Sequence, residues 1–89
     1  MIKRGRLEII KDILRVIHEN HNSIKPTPLL RKSNLSSKRF FEYLNELIEK
    51  GFVREITEKE NKYITLTDKG IDYLKKYENI ISFIEEFDL

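Results

Sequence analysis

A mainly helical fold with one small β hairpin, of the α+β class, is predicted by three features of this 89-residue sequence. Four stretches repeat apolar residues at helical spacing. One stretch after Gly51 changes to short β-branched and aromatic runs, and helix-starting or helix-stopping residues fall between the segments. The stretch from Asn34 to Val53 organises the rest. Ser36 and Ser37 offer it a helix start, Phe40, Leu44, Leu47 and Ile48 a narrow apolar stripe, and Gly51 a stop. At about 100° per residue, Lys38, Arg39, Glu42, Asn45 and Glu46 turn away from that stripe, and Phe41 falls at its margin. This helix has a buried back, a polar front and a basic amino-terminal end.

Length supports one compact domain, because a chain of this size buries roughly 60–65% of its unfolded surface and has little room for an enclosed active site. The absence of cysteine excludes a disulfide scaffold, a thiolate metal site and a thiol nucleophile. No apolar run approaches the roughly 18 residues of a membrane span. Glu8 and Lys11 interrupt the start, unlike a signal-peptide core, so a cytoplasmic location is expected. The net charge of +2 conceals a split. Residues 1–39 hold ten Lys or Arg against three acids, giving +7, while residues 40–89 hold seven against twelve, giving −5. Such a split fits one surface that meets a polyanion and another that meets protein or solvent; an ordinary solvated surface produces it too.

In chain order, Arg6 to Glu19 forms a first helix with two adjacent apolar rows, Leu7, Ile10, Leu14 and Ile17 beside Ile9, Ile13 and Val16. Two rows place it centrally or in an interface. Lys3, Arg4 and Arg6 form either a basic arm that touches phosphates or a frayed terminus. His18 to Ser23 ends the helix with turn formers. His18 and His21 flank a glutamate, yet metal sites supply about three or four ligands and no further one is in view, so no metal is expected. Ile24 and Lys25 suit a short strand. Thr27 and Pro28 open a short second helix, with Thr27 as its cap, Leu29 and Leu30 inside, and Arg31 and Lys32 outside. Asn34 and Leu35 make a turn with Leu35 as an apolar plug, and Ser36 or Ser37 caps the next helix. A short helix, a tight turn and a longer amphipathic helix make a helix-turn-helix, whose second helix a DNA major groove accepts; helical bundles without a nucleic-acid role use the same arrangement.

Phe52 to Thr57 and Lys62 to Leu66 form the hairpin, with a charged tip from Glu58 to Asn61. Val53 and Ile56 do not alternate strictly, which predicts a twist or bulge near Arg54 or Glu55. After a helix-turn-helix this hairpin is a wing. Its lysines Lys59 and Lys62 stand against Glu58 and Glu60, so its contact with a polyanion is modest or selective. Thr67 caps the last helix, which runs to about Glu86, and Gly70 in its first turn predicts close packing on a neighbouring element. Its apolar residues form two rows, Ile71, Leu74, Tyr77, Ile81 and Ile84 beside Tyr73, Ile80, Phe83 and Phe87. One small domain covers only the first half, which leaves Ile80, Ile81, Phe83, Ile84 and Phe87 for a second copy in antiparallel pairing or for folding back over the first helix.

Arg4 to Leu14, the turn Ser33 to Ser36, Tyr43 to Gly51 and Leu66 to Gly70 together resemble the small archaeal winged helix-turn-helix proteins. Among these are the ten-kilodalton DNA-binding proteins that dimerise through a carboxy-terminal antiparallel coiled coil. The resemblance implies a winged helix-turn-helix in residues 1–66 and a dimerisation helix in residues 67–89. It places Ser36, Ser37, Lys38 and Arg39 at the groove-facing end of helix 36–50. Two features depart from the pattern: Phe41 stands where relatives tend to be polar, which suggests packing on the wing or another chain, and the last helix is short for a coiled-coil arm.

The expected function is a dimeric DNA-binding protein, a transcriptional regulator without catalytic activity, cofactor or small-molecule ligand. Arg31, Lys32, Lys38 and Arg39 hold phosphates, Arg39 or Lys38 reaches a guanine edge and Asn45 an adenine edge, and the wing at residues 57–62 adds Lys59 and Lys62. Glu42 and Glu46 repel the DNA backbone and restrict orientation. Tyr77, Ile80, Ile81, Phe83, Ile84 and Phe87 form the dimer interface. The competing expectation is a winged-helix module that binds protein through Phe41, the acidic tip and the last helix. An enzyme is a distant third, since no Ser, His and acid stand at useful spacing and no glycine-rich phosphate loop is present.

Overall fold

The structure, a computed structural model, describes residues 5–89, so Lys3 and Arg4 of the expected basic arm lie outside the described residues. The elements are α1 (Arg6–Glu19), α2 (Pro26–Ser33), α3 (Ser37–Glu49), β1 (Val53–Glu58), β2 (Asn61–Leu66) and α4 (Asp68–Glu86). Helix α1 is the centre: Ile9, Ile10, Ile13, Leu14 and Ile17 are buried, and the helix packs on α2, α4 and β2. Both of its apolar rows therefore find partners inside the chain, each buried side chain contributing about 1.5–3 kcal/mol. Leu7 departs from the expected row. Its side chain is 60% exposed, while its carbonyl oxygen accepts a 2.8 Å bond from the Tyr73 hydroxyl of α4.

Between α1 and α2 the chain turns through His21 and Asn22, both at φ 60°. The Asn22 side-chain oxygen accepts from the Leu66 N–H at 2.9 Å, and Ile24 exchanges backbone bonds of 3.1 and 2.8 Å with Ile64. The short strand expected at Ile24 and Lys25 is thus a single bridge at Ile24. Helix α2 starts at Pro26, with Lys25 at the cap position and no side-chain cap, so the expected Thr27 cap is corrected. Pro26 and Pro28 both lie in the first turn, where the missing N–H costs nothing, and their fixed φ starts the helix without a hydroxyl. Asn34 ends it at φ 58°, and half-buried Leu35 packs against the core as the plug. Ser36 then caps α3, its hydroxyl accepting from the Arg39 N–H at 3.3 Å.

Gly51, at φ 81°, closes α3 in the left-handed conformation that glycine adopts without steric cost. The hairpin register runs unbroken from Val53↔Leu66 to Glu58↔Asn61, so the bulge expected near Arg54 or Glu55 is absent. The reason is burial. Strand β1 buries Val53 alone and leaves Ile56 exposed, while β2 supplies Ile64 and Leu66 to the core, so the two apolar residues of β1 never had to share a face. Lys59 and Glu60, at φ 49° and 67°, form a two-residue turn whose left-handed backbone suits the strand twist.

Helix α4 begins at its Thr67 cap, which accepts from the Gly70 N–H at 3.2 Å and donates to the Gly51 carbonyl at 2.5 Å. Its first half packs through Leu74, with Ile71 and Tyr73 half-buried. Burial pushes the Tyr73 phenol upward in pKa. From Glu78 onward every residue is exposed, so the helix projects and the molecule measures 49 × 27 × 21 Å.

Candidate nucleic-acid interface

Helix α3 is anchored from behind. Phe40 and Leu44 are 0% and 2% exposed, whereas Ser36, Ser37, Lys38 and Arg39 at its start are exposed. Among the described residues neither Lys38 nor Arg39 forms an ion pair, so both cations are open to an external anion. Arg31 and Lys32 are exposed in the last turn of α2, immediately before the Asn34–Leu35 turn. The four cations therefore flank one turn, two on each side. Asn45 is exposed further along α3. Phe41 is 44% exposed and sets its ring edge-on to Phe40, its own neighbour in α3, at 5.1 Å.

The acidic part of the same face differs from the expected repulsive surface. Glu42 is exposed, but the Oε2 atom of Glu46 is met by the Arg6 guanidinium from α1 and by the Lys50 ammonium at 3.0 Å. Those hydrogen bonds, Arg6 first and Lys50 second, hold the Glu46 carboxyl well below the usual range, at about 2. Arg6 also lies 5.9 Å from the centre of the Tyr43 ring. Arg6, Arg39, Glu42, Tyr43 and Glu46 line a depression of about 260 Å³. Lys50 sits four residues after Glu46 and is legible from sequence. Arg6 arrives from another helix, and no local signal announces it.

At the far end of α3 the Lys69 ammonium donates to the Lys50 carbonyl at 2.7 Å and stands 4.7 Å over the Phe52 ring. This fastens the end of α3 to the start of α4. In the hairpin, Lys59 and Lys62 are exposed, and Lys62 lies 3.6 Å from a Glu55 oxygen. On α4, Tyr77 is half-buried, Ile80, Ile81, Phe83, Ile84 and Phe87 are exposed, and the Phe83 and Phe87 rings lie 4.9 Å apart. The apolar row continues into a groove of about 270 Å³ that includes Leu7, Phe52, Tyr73, Tyr77 and Ile80. Sequence periodicity did not place Leu7 with this surface, because it assigned that residue to the core row of α1. Among the described residues, no group of three or more His, Cys, Asp or Glu is placed to hold a metal ion, and no helix is long and apolar enough to cross a membrane.

Comparison with known proteins agrees with this fold. A family model for the winged helix-turn-helix matches residues 3–85. Among curated proteins, an uncharacterised protein of Methanocaldococcus jannaschii is 31% identical over 83 residues, covering 93% of this chain but only 36% of that relative's length. Among solved structures, the DNA-binding protein Sso10a-2 of Sulfolobus solfataricus superposes with a TM-score of 0.76 at 26% identity, over 94% of this chain and 85% of that one. The F-93 protein of SSV1 superposes with a TM-score of 0.71 at 25% identity, over 99% and 95%. The F93 protein of STIV, a winged-helix DNA-binding protein, has a TM-score of 0.75 at 20% identity, over 89% and 91%, which speaks to the fold alone. On the family match and the architecture together, this chain belongs to the winged helix-turn-helix family.

Proposed function

We propose that this chain is a DNA-binding protein that acts as a cytoplasmic, non-catalytic transcriptional regulator in the form of a homodimer. The observation that carries the reading is the exposed pair Lys38 and Arg39, neither in an ion pair among the described residues, at the start of a helix held from behind by Phe40 and Leu44. Similarity to Sso10a-2, itself a DNA-binding protein, supports it. In this reading α3 enters the major groove with Ser36 and Ser37 at its leading end. Arg31, Lys32, Lys38 and Arg39 hold phosphates, Lys38 or Arg39 also reaches a guanine edge, and Asn45 meets an adenine edge. Lys59 and Lys62 of the wing at residues 57–62 touch phosphates or the minor groove. Residues 1–66 form the DNA-binding unit, and residues 67–89 form the helix that packs on it and pairs two copies through Tyr77, Ile80, Ile81, Phe83, Ile84 and Phe87. An exposed apolar row of this length is unusual on a monomer, and self-pairing covers it.

A protein-binding module is the second reading, favoured by the 44% exposure of Phe41 on the outward side of α3. Retention of duplex DNA by the wild type and by Lys38→Ala plus Arg39→Ala separates the two. Loss of retention with unchanged assembly supports the regulator, while equal retention, or none by the wild type, supports the protein-binding module.

A further inference from the structure

Two cations from different helices converge on one carboxylate oxygen beside the outward face of α3. Arg6 opens α1 and Lys50 follows α3, and both meet Oε2 of Glu46. We propose that Arg6 and Lys50 form a subsite for a DNA backbone phosphate, and that in the free protein the Glu46 carboxylate fills it as an internal stand-in which the phosphate displaces. This inference rests on the DNA-binding reading and goes beyond it, because it adds a contact from α1 and a means of attenuating it.

Three observations support the subsite. First, the side chains of Arg6 and Lys50 are 51% and 54% exposed, so an external anion reaches both without any change of fold. Second, Arg6 has a neighbour besides Glu46, its guanidinium lying 5.9 Å from the centre of the Tyr43 ring. Third, Arg39 lines the same depression and has no ion pair among the described residues, so a phosphodiester that approaches Arg39 is already beside Arg6. The exchange is chemically reasonable. An exposed ion pair holds weakly, whereas a guanidinium binds phosphate through two parallel hydrogen bonds and the release of counterions adds to it. Glu46 then acts as a tax on loosely seated, sequence-independent complexes, since displacement needs the phosphate to be correctly placed.

The test uses Glu46→Gln, Arg6→Gln and the combined change in the full chain, with two readouts. In the first, thermal melts are compared in chloride and in inorganic phosphate at constant ionic strength. Glu46→Gln, with two cations left facing each other, is expected to gain about 3–5 °C more from phosphate than the wild type, and Arg6→Gln is expected to remove that excess. In the second, duplex binding is followed against salt. Glu46→Gln is expected to bind about three- to tenfold more tightly with a log–log slope steeper by about one per subunit, while Arg6→Gln binds more weakly with a shallower slope. If the pair is only a tether between α1 and α3, both single changes weaken DNA binding in the same direction and the phosphate gain equals that of the wild type; either result overturns the subsite. Absence of duplex binding by every protein overturns the regulator reading and with it the DNA-phosphate role, and a phosphate gain in the melts then shows an anion subsite at Arg6 and Lys50 without that role.

Discussion

The α-carbon of Gly70 lies against the carbonyl oxygen of Phe52, with no space for a Cβ between them. The contact joins the first turn of α4 to the residue that leaves α3, and the Thr67 and Lys69 bonds to Gly51 and Lys50 reinforce the same joint. Alanine in a helix ordinarily gains about 1 kcal/mol over glycine. Here Gly70→Ala is expected to destabilise by about 2 kcal/mol, because the obstacle is backbone and must shift. Urea unfolding checks the sign.

The exposed row on α4 is predicted to assemble the protein without supporting its fold. Ile80 and Phe83 are each 56% exposed, so the monomer gains little from them. Ile80→Glu with Phe83→Glu is expected to give a monomer in sedimentation velocity, with unchanged helix content at high protein concentration. A dimer that survives both charges places the interface elsewhere.

The Arg6–Glu46–Lys50 cluster sets a pH dependence. The Glu46 carboxyl is lowered to about 2 from 4.5 by Arg6 first and Lys50 second, with Glu42, Tyr43 and Arg39 lining the same depression. A carboxyl whose folded pKa lies below its unfolded one contributes stability that is fully present above about 4.5 and is lost as pH falls through about 2. The melting temperatures of wild type and Glu46→Gln are therefore expected to differ by a constant amount above pH 5 and to converge toward pH 2. A difference that does not narrow in acid contradicts an ionised pair.

Much of this architecture is legible from local signals, and its failures share a cause. The cap at Ser36 or Ser37, the stop at Gly51 and the close approach at Gly70 are each written in one or two residues; the structure selects Ser36 for the first and keeps the other two in place. Thr27 lies inside α2 instead of capping it because Pro26, one residue earlier, also suits a first turn. The broken alternation of Val53 and Ile56 calls for a bulge only where both are buried, and β1 buries Val53 alone. Leu7 follows the helical period and still lies outside the core. Arg6 and Glu46 are 40 residues apart, and their pairing depends on how α1 and α3 sit together, which no periodicity encodes. The cations of the proposed interface are readable as cations. That Lys38 and Arg39 form no ion pair among the described residues, while Lys62 meets Glu55, is visible only in the coordinates.

The most direct measurement for DNA binding by α3 is the salt dependence of affinity for a selected duplex, taken with the stoichiometry of the complex. With roughly four phosphates neutralised by each of two subunits, the log–log slope is expected near −7, and the Lys38→Ala plus Arg39→Ala protein is expected to lose about two of those units per subunit. An affinity that barely changes between low and physiological salt contradicts contact through Arg31, Lys32, Lys38 and Arg39.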